Sequence, residues 1–139
     1  MTVTLSDEAM QFIALFEDET GATARDCLIE DDRLVFLVAA GEMGQAIGPG
    51  GQHVQGVEAQ LDREIKLVED APTAADFVAS ALSPAAVFNV TISENDDRVA
   101  YAKVDDEDRG AAIGKDGRNI DAARELADRH HDVDDIELT

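Results

Sequence analysis

Two short glycine-rich segments are the part of the sequence whose residue types and spacing point most directly to chemistry. They read Ile-Gly-Pro-Gly-Gly at residues 47–51 and Ile-Gly-Lys-Asp-Gly at residues 113–117. Glycine has no Cβ atom, so another backbone can approach such a turn closely. A helix that follows the turn presents N–H groups without intrahelical partners and the positive end of its dipole, and both suit phosphate oxygens. The two segments therefore predict contacts to a phosphodiester chain.

A single Gly-x-x-Gly turn is weak evidence, because glycine often serves a turn that binds no ligand. In this chain, however, the turn belongs to an internal repeat. Its neighbours recur at a constant offset of 66 residues, as the pairs Gly44 and Gly110, Ala46 and Ala112, Val54 and Ile120, Val57 and Ala123, and Leu61 and Ala127. An Asp-Asp-Arg triplet before an apolar run also occurs twice, at residues 31–33 and 96–98. The recurrence favours a functional turn over an incidental one.

The residues around the first turn predict the elements that hold it. Ser6 is the predicted N-cap of a helix with apolar residues at helical spacing, and Gly21 ends that helix. The elements predicted after it are strands near 25–30 and 33–39 that form a hairpin, a short helix that ends at Ile47, a helix near 51–62 and a strand near 64–69.

The second half predicts the same order. Thr73 with Asp76 resembles a capping box, and Ser83-Pro84 ends the helix that follows. The remaining predicted elements are strands near 86–93 and 98–104, helices near 106–113 and 117–130, and a strand near 133–138. In the first of these strands Phe88, Val90 and Ile92 alternate with polar residues, which predicts a sheet with one solvated face.

Both halves therefore predict an α+β fold in which a three-stranded sheet packs on helices. The expected domains are residues 1–70 and 71–139, with the linker near residues 70–72, where proline can begin a helix but cannot continue a strand. The α-β-β-α-α-β order, with Ile-Gly-x-x-Gly between the fourth and fifth elements, resembles the type II KH domain. In that family the loop clamps the backbone of about four nucleotides, and the bases lie in an apolar groove beside it.

A tandem pair of such domains over essentially the whole of a short chain resembles the archaeal NusA-like transcription factors. The resemblance implies a factor for transcription elongation, termination or antitermination that binds single-stranded nascent RNA at the RNA polymerase complex. The expected RNA-binding residues are Ile47, Gly48, Pro49, Gly50, Gly51 and Val54 in the first copy, and Ile113, Gly114, Lys115, Asp116, Gly117, Arg118 and Ile120 in the second. Val54 and Ile120 are equally consistent with ordinary core residues.

Both loops depart from the basic loop found in many KH domains. The first carries Pro49-Gly50 and has no cation, so it is expected to bind weakly or to help position the second copy. The second carries Lys115, but Asp116 adds a negative charge that faces the phosphates. Arg118, in the first turn of the following helix, is placed to compensate. Two alternatives stay open: a KH scaffold for protein–protein interaction, and RNA binding in translation or RNA processing.

The charge of the chain conflicts with ordinary RNA binding. Eleven Lys and Arg residues stand against 31 Asp and Glu residues, which gives a net charge of −20, and the acidic residues are spread over both halves. Asp outnumbers Glu and Lys is scarce, which resembles the surfaces of proteins from extreme halophiles. At molar salt the Debye length falls to about 3 Å, so the repulsion between carboxylates is screened. The alternative is a mesophilic protein with a cationic partner.

The remaining candidates for chemistry are weak. His130-His131 could bind a metal, but a position at the C-terminus of a helix accounts for them better. His53 is expected to be exposed or to contact RNA, and Cys27 to be a buried thiol. No nucleophile or nucleotide-binding motif is present, so we expect neither an enzyme nor a cofactor. No run of residues is long and apolar enough to span a bilayer, and we expect a cytoplasmic monomer.

Overall fold

A computed structural model describes residues 4–139, which form two compact units, residues 4–70 and 71–139. The elements of the first unit are α1 (Asp7–Thr20), β1 (Ala24–Ile29), β2 (Arg33–Val38), α2 (Met43–Ile47), α3 (Gln52–Leu61) and β3 (Glu64–Glu69). Those of the second unit are α4 (Ala74–Ala81), β4 (Val87–Glu94), β5 (Arg98–Val104), α5 (Arg109–Ile113), α6 (Arg118–His131) and β6 (Asp135–Leu138). The α+β class and the repeated α-β-β-α-α-β order are confirmed.

The first helix begins and ends where its local sequence predicts. The hydroxyl of Ser6 accepts a hydrogen bond from the N–H of Ala9 at 3.1 Å, which satisfies one of the donors at the start of α1. At the other end Gly21 takes a left-handed conformation, with φ of 76°, and donates to the carbonyl of Glu17. This is the usual role of glycine after a helix. In the second unit Thr73 caps α4 in the same way, through the N–H of Asp76.

The two sheets have the same topology. In the first unit β2 lies in the centre, antiparallel to β1 and parallel to β3. In the second unit β5 is central, antiparallel to β4 and parallel to β6. The parallel pair arises because the helix pair around the glycine turn connects the central strand to the last one. The fold thus holds each glycine turn between two helices that are fixed to the same sheet.

The core of the first unit lies between its sheet and helices α1 and α3. Phe16 of α1 stacks on Phe36 of β2, with ring centroids 4.4 Å apart, and Val57 of α3 is buried in the same cluster. Aromatic side chains of this size contribute strongly to a small core, because each buries a large apolar area. Buried side chains of the second unit include Phe77 of α4, Leu126 of α6 and Ile136 of β6.

The prediction that Phe88 shares the buried face of β4 with Val90 and Ile92 is wrong. Phe88 is 64% exposed, whereas Val90 and Ile92 are partly buried. The pairing between β4 and β5 shifts by one residue between Val87 and Asn89, so Phe88 is the extra residue of a β-bulge. A bulge interrupts the alternation of side chains between the two faces of a strand, and an apolar pattern in the sequence does not reveal it.

Candidate nucleic-acid interface

The two glycine loops have the same backbone conformation. The first glycine of each loop, Gly48 or Gly114, has φ of 77° or 80° and ψ of 171° or 172°. The last glycine, Gly51 or Gly117, has φ of 80° or 78°. Such positive φ values are strained for residues with a Cβ atom. Glycine at both ends is therefore required by the shape of the loop, whatever the loop binds.

The inner residues of the two loops also have matching backbone conformations. Gly50 has φ of 61° and Asp116 has φ of 56°, so the third loop position is left-handed in both copies. Aspartate is among the few residues with a side chain that visit this conformation readily. Pro49 and Lys115, one position earlier, show no positive φ. The backbone conformation of the loop therefore does not restrict the residue type at this second position.

Hydrogen bonds inside the loops occupy several of the amides that the sequence predicted to be unpaired. In the first loop the N–H of Gly48 donates to Gly44 at 2.9 Å, that of Gly51 to Gly48 at 3.1 Å, and that of Gln52 to the carbonyl of Pro49. The expectation of unpaired amides at the start of the following helix is wrong at Gly51 and Gln52, because the chain makes a 3-10 turn there. The Gly48 bond closes the end of α2.

The second loop has the matching bonds. Gly114 donates to Gly110 at 2.8 Å, Gly117 donates to Gly114 at 3.1 Å, and Arg118 donates to Lys115. In each loop the backbone is thus ordered by its own hydrogen bonds. The surface offered to a ligand therefore consists mainly of the turn itself and the side chains around it. Unpaired helix amides contribute less to this surface than the sequence predicted.

The apolar residues beside the loops differ in exposure. Ile47 and Ile113, which precede the first glycines, are 40% and 38% exposed. Val54 is half-buried, and it lies outside the described core cluster of the first unit. Ile120 is only 6% exposed. The two loop isoleucines are therefore accessible to a ligand, and Ile120 has the burial of a core residue.

The charges around the two loops are unequal. The first loop contains no charged residue, and three of the four basic residues of its unit make contacts elsewhere: Arg25 pairs with Asp70 at 3.0 Å, Arg33 pairs with Glu30 at 2.8 Å, and Arg63 lies over the ring of Phe12. In the second loop Lys115 and Asp116 are both exposed. Arg118 is half-buried, at the start of α6. Cationic side chains at the loop are thus confined to the second unit.

A polar side chain behind each loop makes a contact that no motif in the sequence predicts. Nδ1 of His53 lies 2.7 Å from the carbonyl oxygen of Gln45, and Nδ2 of Asn119 donates to the carbonyl of Ala111 at 3.0 Å. His53 is therefore neither simply exposed nor free to contact RNA through that nitrogen. The signal that could have identified the pair is their offset of 66 residues, the same as that of the loops.

The remaining candidates for chemistry have structural explanations. Cys27 is buried, and burial together with the charge of Asp26 raises the pKa of its thiol to about 12. His131, in the last turn of α6, stacks on Phe77 with ring centroids 4.5 Å apart. Among residues 4–139, no group of three or more His, Cys, Asp or Glu side chains could hold a metal ion. No helix in this range is both long and apolar enough to cross a membrane.

Two family models match the chain, and their matched ranges overlap at residues 74–91. A family model for the KH domain matches residues 12–91, and one for the NusA-like second KH domain matches residues 74–139. With the repeated fold and the two Gly-x-x-Gly loops, these matches define the class: a tandem KH-domain protein. The KH and NusA families are RNA-binding factors and generally not enzymes.

More specific relatives come from halophilic archaea. The chain is 66% identical to the probable transcription termination protein NusA of Halobacterium salinarum over the full length of both chains. It is 62% identical to the protein of the same name from Halococcus morrhuae, over 99% of each chain. The crystal structure of APE1850 superimposes with a TM-score of 0.80 at 30% identity, covering 97% of this chain and all of that one. The chain belongs to the archaeal NusA-like family.

Proposed function

We propose that this protein is a transcription termination and antitermination factor that binds single-stranded nascent RNA through its glycine loops. The observation that carries the proposal is the pair of loops with one backbone conformation, in a chain 66% identical to proteins named for transcription termination. The partner would be RNA at the polymerase complex. The protein would act there as a cytoplasmic, non-catalytic monomer.

Each unit is proposed to be one KH domain, with bounds at residues 1–70 and 71–139. The proposed contacts in the first domain are residues 47–51 and Val54, and in the second they are residues 113–118. The exposure of the isoleucine before each loop supports a groove at which bases could lie, since single-stranded RNA is read through splayed bases beside the clamped backbone. Ile120 is proposed to shape this groove from the core and not to touch RNA.

The second domain is proposed to make the stronger contact. Its loop carries the exposed cation Lys115, whereas the first loop presents Pro49 at the equivalent position. A single phosphate contact from a lysine adds an electrostatic contribution that the first loop has no group to provide. The first domain would then extend the binding site and orient the strand.

The test is the substitution Lys115→Asp, with RNA affinity measured by fluorescence anisotropy at high KCl. Lys115 has no positive φ, so the variant is expected to fold, and it places two adjacent carboxylates where a phosphate would lie. We expect a loss of affinity of about ten-fold or more, because a favourable charge contact becomes a repulsive one. Lys103→Asp, at an exposed lysine of β5 in the same unit, makes the same change of charge and is the matched control.

Equal, small effects of the two substitutions would show that only net charge matters, and would remove the loop from the proposed site. Crosslinking of the protein to RNA in cells distinguishes the cellular target. Recovery of nascent transcripts is expected, and recovery of ribosomal RNA alone would contradict a role in transcription.

A further inference from the structure

We propose that His53 and Asn119 are positioning residues that hold the two glycine loops in the conformation that meets RNA. Each side chain folds back from the first turn of the helix after the loop and bonds to the helix before it. The inference rests on the proposed RNA-binding role of the loops, but its first consequence, the order of the loop, can be measured without RNA.

The contact is the same in both domains, although the residue types differ. Each of the two residues lies five positions after the first glycine of its loop, and each acceptor carbonyl lies three positions before that glycine. The acceptors, Gln45 and Ala111, are in helices of only five residues. The imidazole of His53 and the carboxamide of Asn119 reach equivalent backbone carbonyls in the two copies. The chemical feature that they share is a hydrogen-bond donor.

The carbonyls need this donor because the chain cannot provide one locally. The carbonyls of the last turn of a helix lack an intrahelical donor, unless the N–H of the residue four positions later can still reach them. For Gln45 that residue is Pro49, which has no N–H group. For Ala111 it is Lys115, which follows Gly114, and at Gly114 a positive φ takes the chain out of the helix. The side chain therefore closes the end of each short helix and ties it to the next one.

The first glycine of each loop is shaped to admit this side chain. A Cβ atom on Gly48 would lie 2.6 Å from Nδ1 of His53, and one on Gly114 would lie 2.7 Å from Nδ2 of Asn119. Both distances are far inside van der Waals contact. The glycine thus has a third reason for its place, besides its positive φ and the approach of an RNA backbone. The positioning side chain occupies the space that a Cβ atom would take.

Because the acceptor is a carbonyl oxygen, the Nδ1 atom of His53 must carry the proton. The same position in the second domain uses the amide N–H of Asn119. Exchanging the two residue types therefore keeps the donor, whereas alanine removes it. Asn119→Ala is the disruptive variant, Asn119→His is the conservative one, and Asn95→Ala, at an exposed asparagine in the β4–β5 turn, is the matched control.

The first measurement uses the RNA-free protein at high KCl and follows ¹⁵N relaxation and amide exchange at residues 114–117. In Asn119→Ala we expect faster exchange of the Gly117 N–H, which bonds to Gly114 across the loop. The second measurement is RNA affinity, for which we expect a loss of about three- to ten-fold, the range of one net hydrogen bond. Asn119→His should restore most of the slow amide exchange and most of the RNA affinity. If Asn119 only added general stability, the recovery would not depend on a hydrogen-bond donor at this position.

Wild-type exchange rates at residues 114–117 in Asn119→Ala would overturn the proposal. So would unchanged RNA affinity in Asn119→Ala if Lys115→Asp abolishes binding, because the loop would then bind RNA without needing its positioning residue. If Lys115→Asp itself binds RNA with full affinity while Asn119→Ala loosens the loop, the ordering of the loop stands and the RNA-binding role of the loop fails.

Discussion

The dependence of RNA binding on salt should be unusually shallow for a nucleic-acid-binding protein. For single-stranded RNA, the slope of log K against log salt is about −0.7 for each phosphate neutralised by a cation. The first loop has no cation, and the second has Lys115, with Arg118 in the next turn. Two phosphate contacts give a limiting slope of about −1.4, so a ten-fold rise in KCl weakens binding by at most about 25-fold.

A second effect works in the opposite direction. The chain carries a net charge of −20, which repels RNA at low salt. Screening reduces this repulsion as the Debye length falls toward about 3 Å at 1 M salt. We therefore expect an observed slope between about −1.4 and zero, or a positive slope where the release from repulsion is the larger effect.

The assay is fluorescence anisotropy of a labelled single-stranded RNA, titrated between about 0.2 M and about 2 M KCl. Lys115→Ala should make the slope less negative by about 0.7, because it removes one phosphate contact. Lys103→Ala should leave the slope unchanged. A wild-type slope steeper than about −3 would require four or more cation contacts, and would refute the proposal that only Lys115 and Arg118 neutralise phosphates.

Two further predictions concern the first domain. Because the pKa of the Cys27 thiol is raised from 9.0 to about 12, its alkylation by iodoacetamide at pH 8 should be slow in the folded protein and fast in urea. Equal alkylation of the folded and unfolded protein would contradict the raised pKa. Above pH 9 the thiol ionises in the unfolded chain but not in the folded one, so the free energy of unfolding should fall as the pH rises. Cys27→Ala should reduce this fall. Phe16→Ala should lower the free energy of unfolding by about 3–5 kcal/mol, measured by urea denaturation at high KCl, because it leaves a cavity against Phe36. Met10→Ala, in the same helix but at an exposed position, is the control for that loss.

The parts of the fold that could be predicted are those decided by residues close together in the chain. Ser6, Gly21 and Thr73 set helix ends because their hydrogen bonds reach only three or four residues along the backbone. The repeat then supplied the order of elements, since two copies of a pattern constrain each other more than either does alone.

The parts that could not be predicted depend on groups brought together by the fold. Phe88 follows the apolar pattern of its strand, and only the register of β4 against β5 reveals the bulge that exposes it. The bonds of His53 and Asn119 join two helices across a loop. Their offset of 66 residues relates the two positions, but it does not reveal the carbonyl that each side chain meets. The internal pairing of the loop amides likewise depends on the 3-10 turn, which the glycines permit but do not specify.

The two loops can differ in ligand chemistry at only one of their four positions. Both ends must be glycine because φ is positive there, and the third position is left-handed, which favours Gly50 or a residue such as Asp116. Backbone conformation is therefore sufficient to account for an aspartate at position 116. Only the second position is free of these constraints, and there the first domain has Pro49 and the second Lys115. The contrast in affinity for phosphate between the two domains should accordingly depend mainly on this single position.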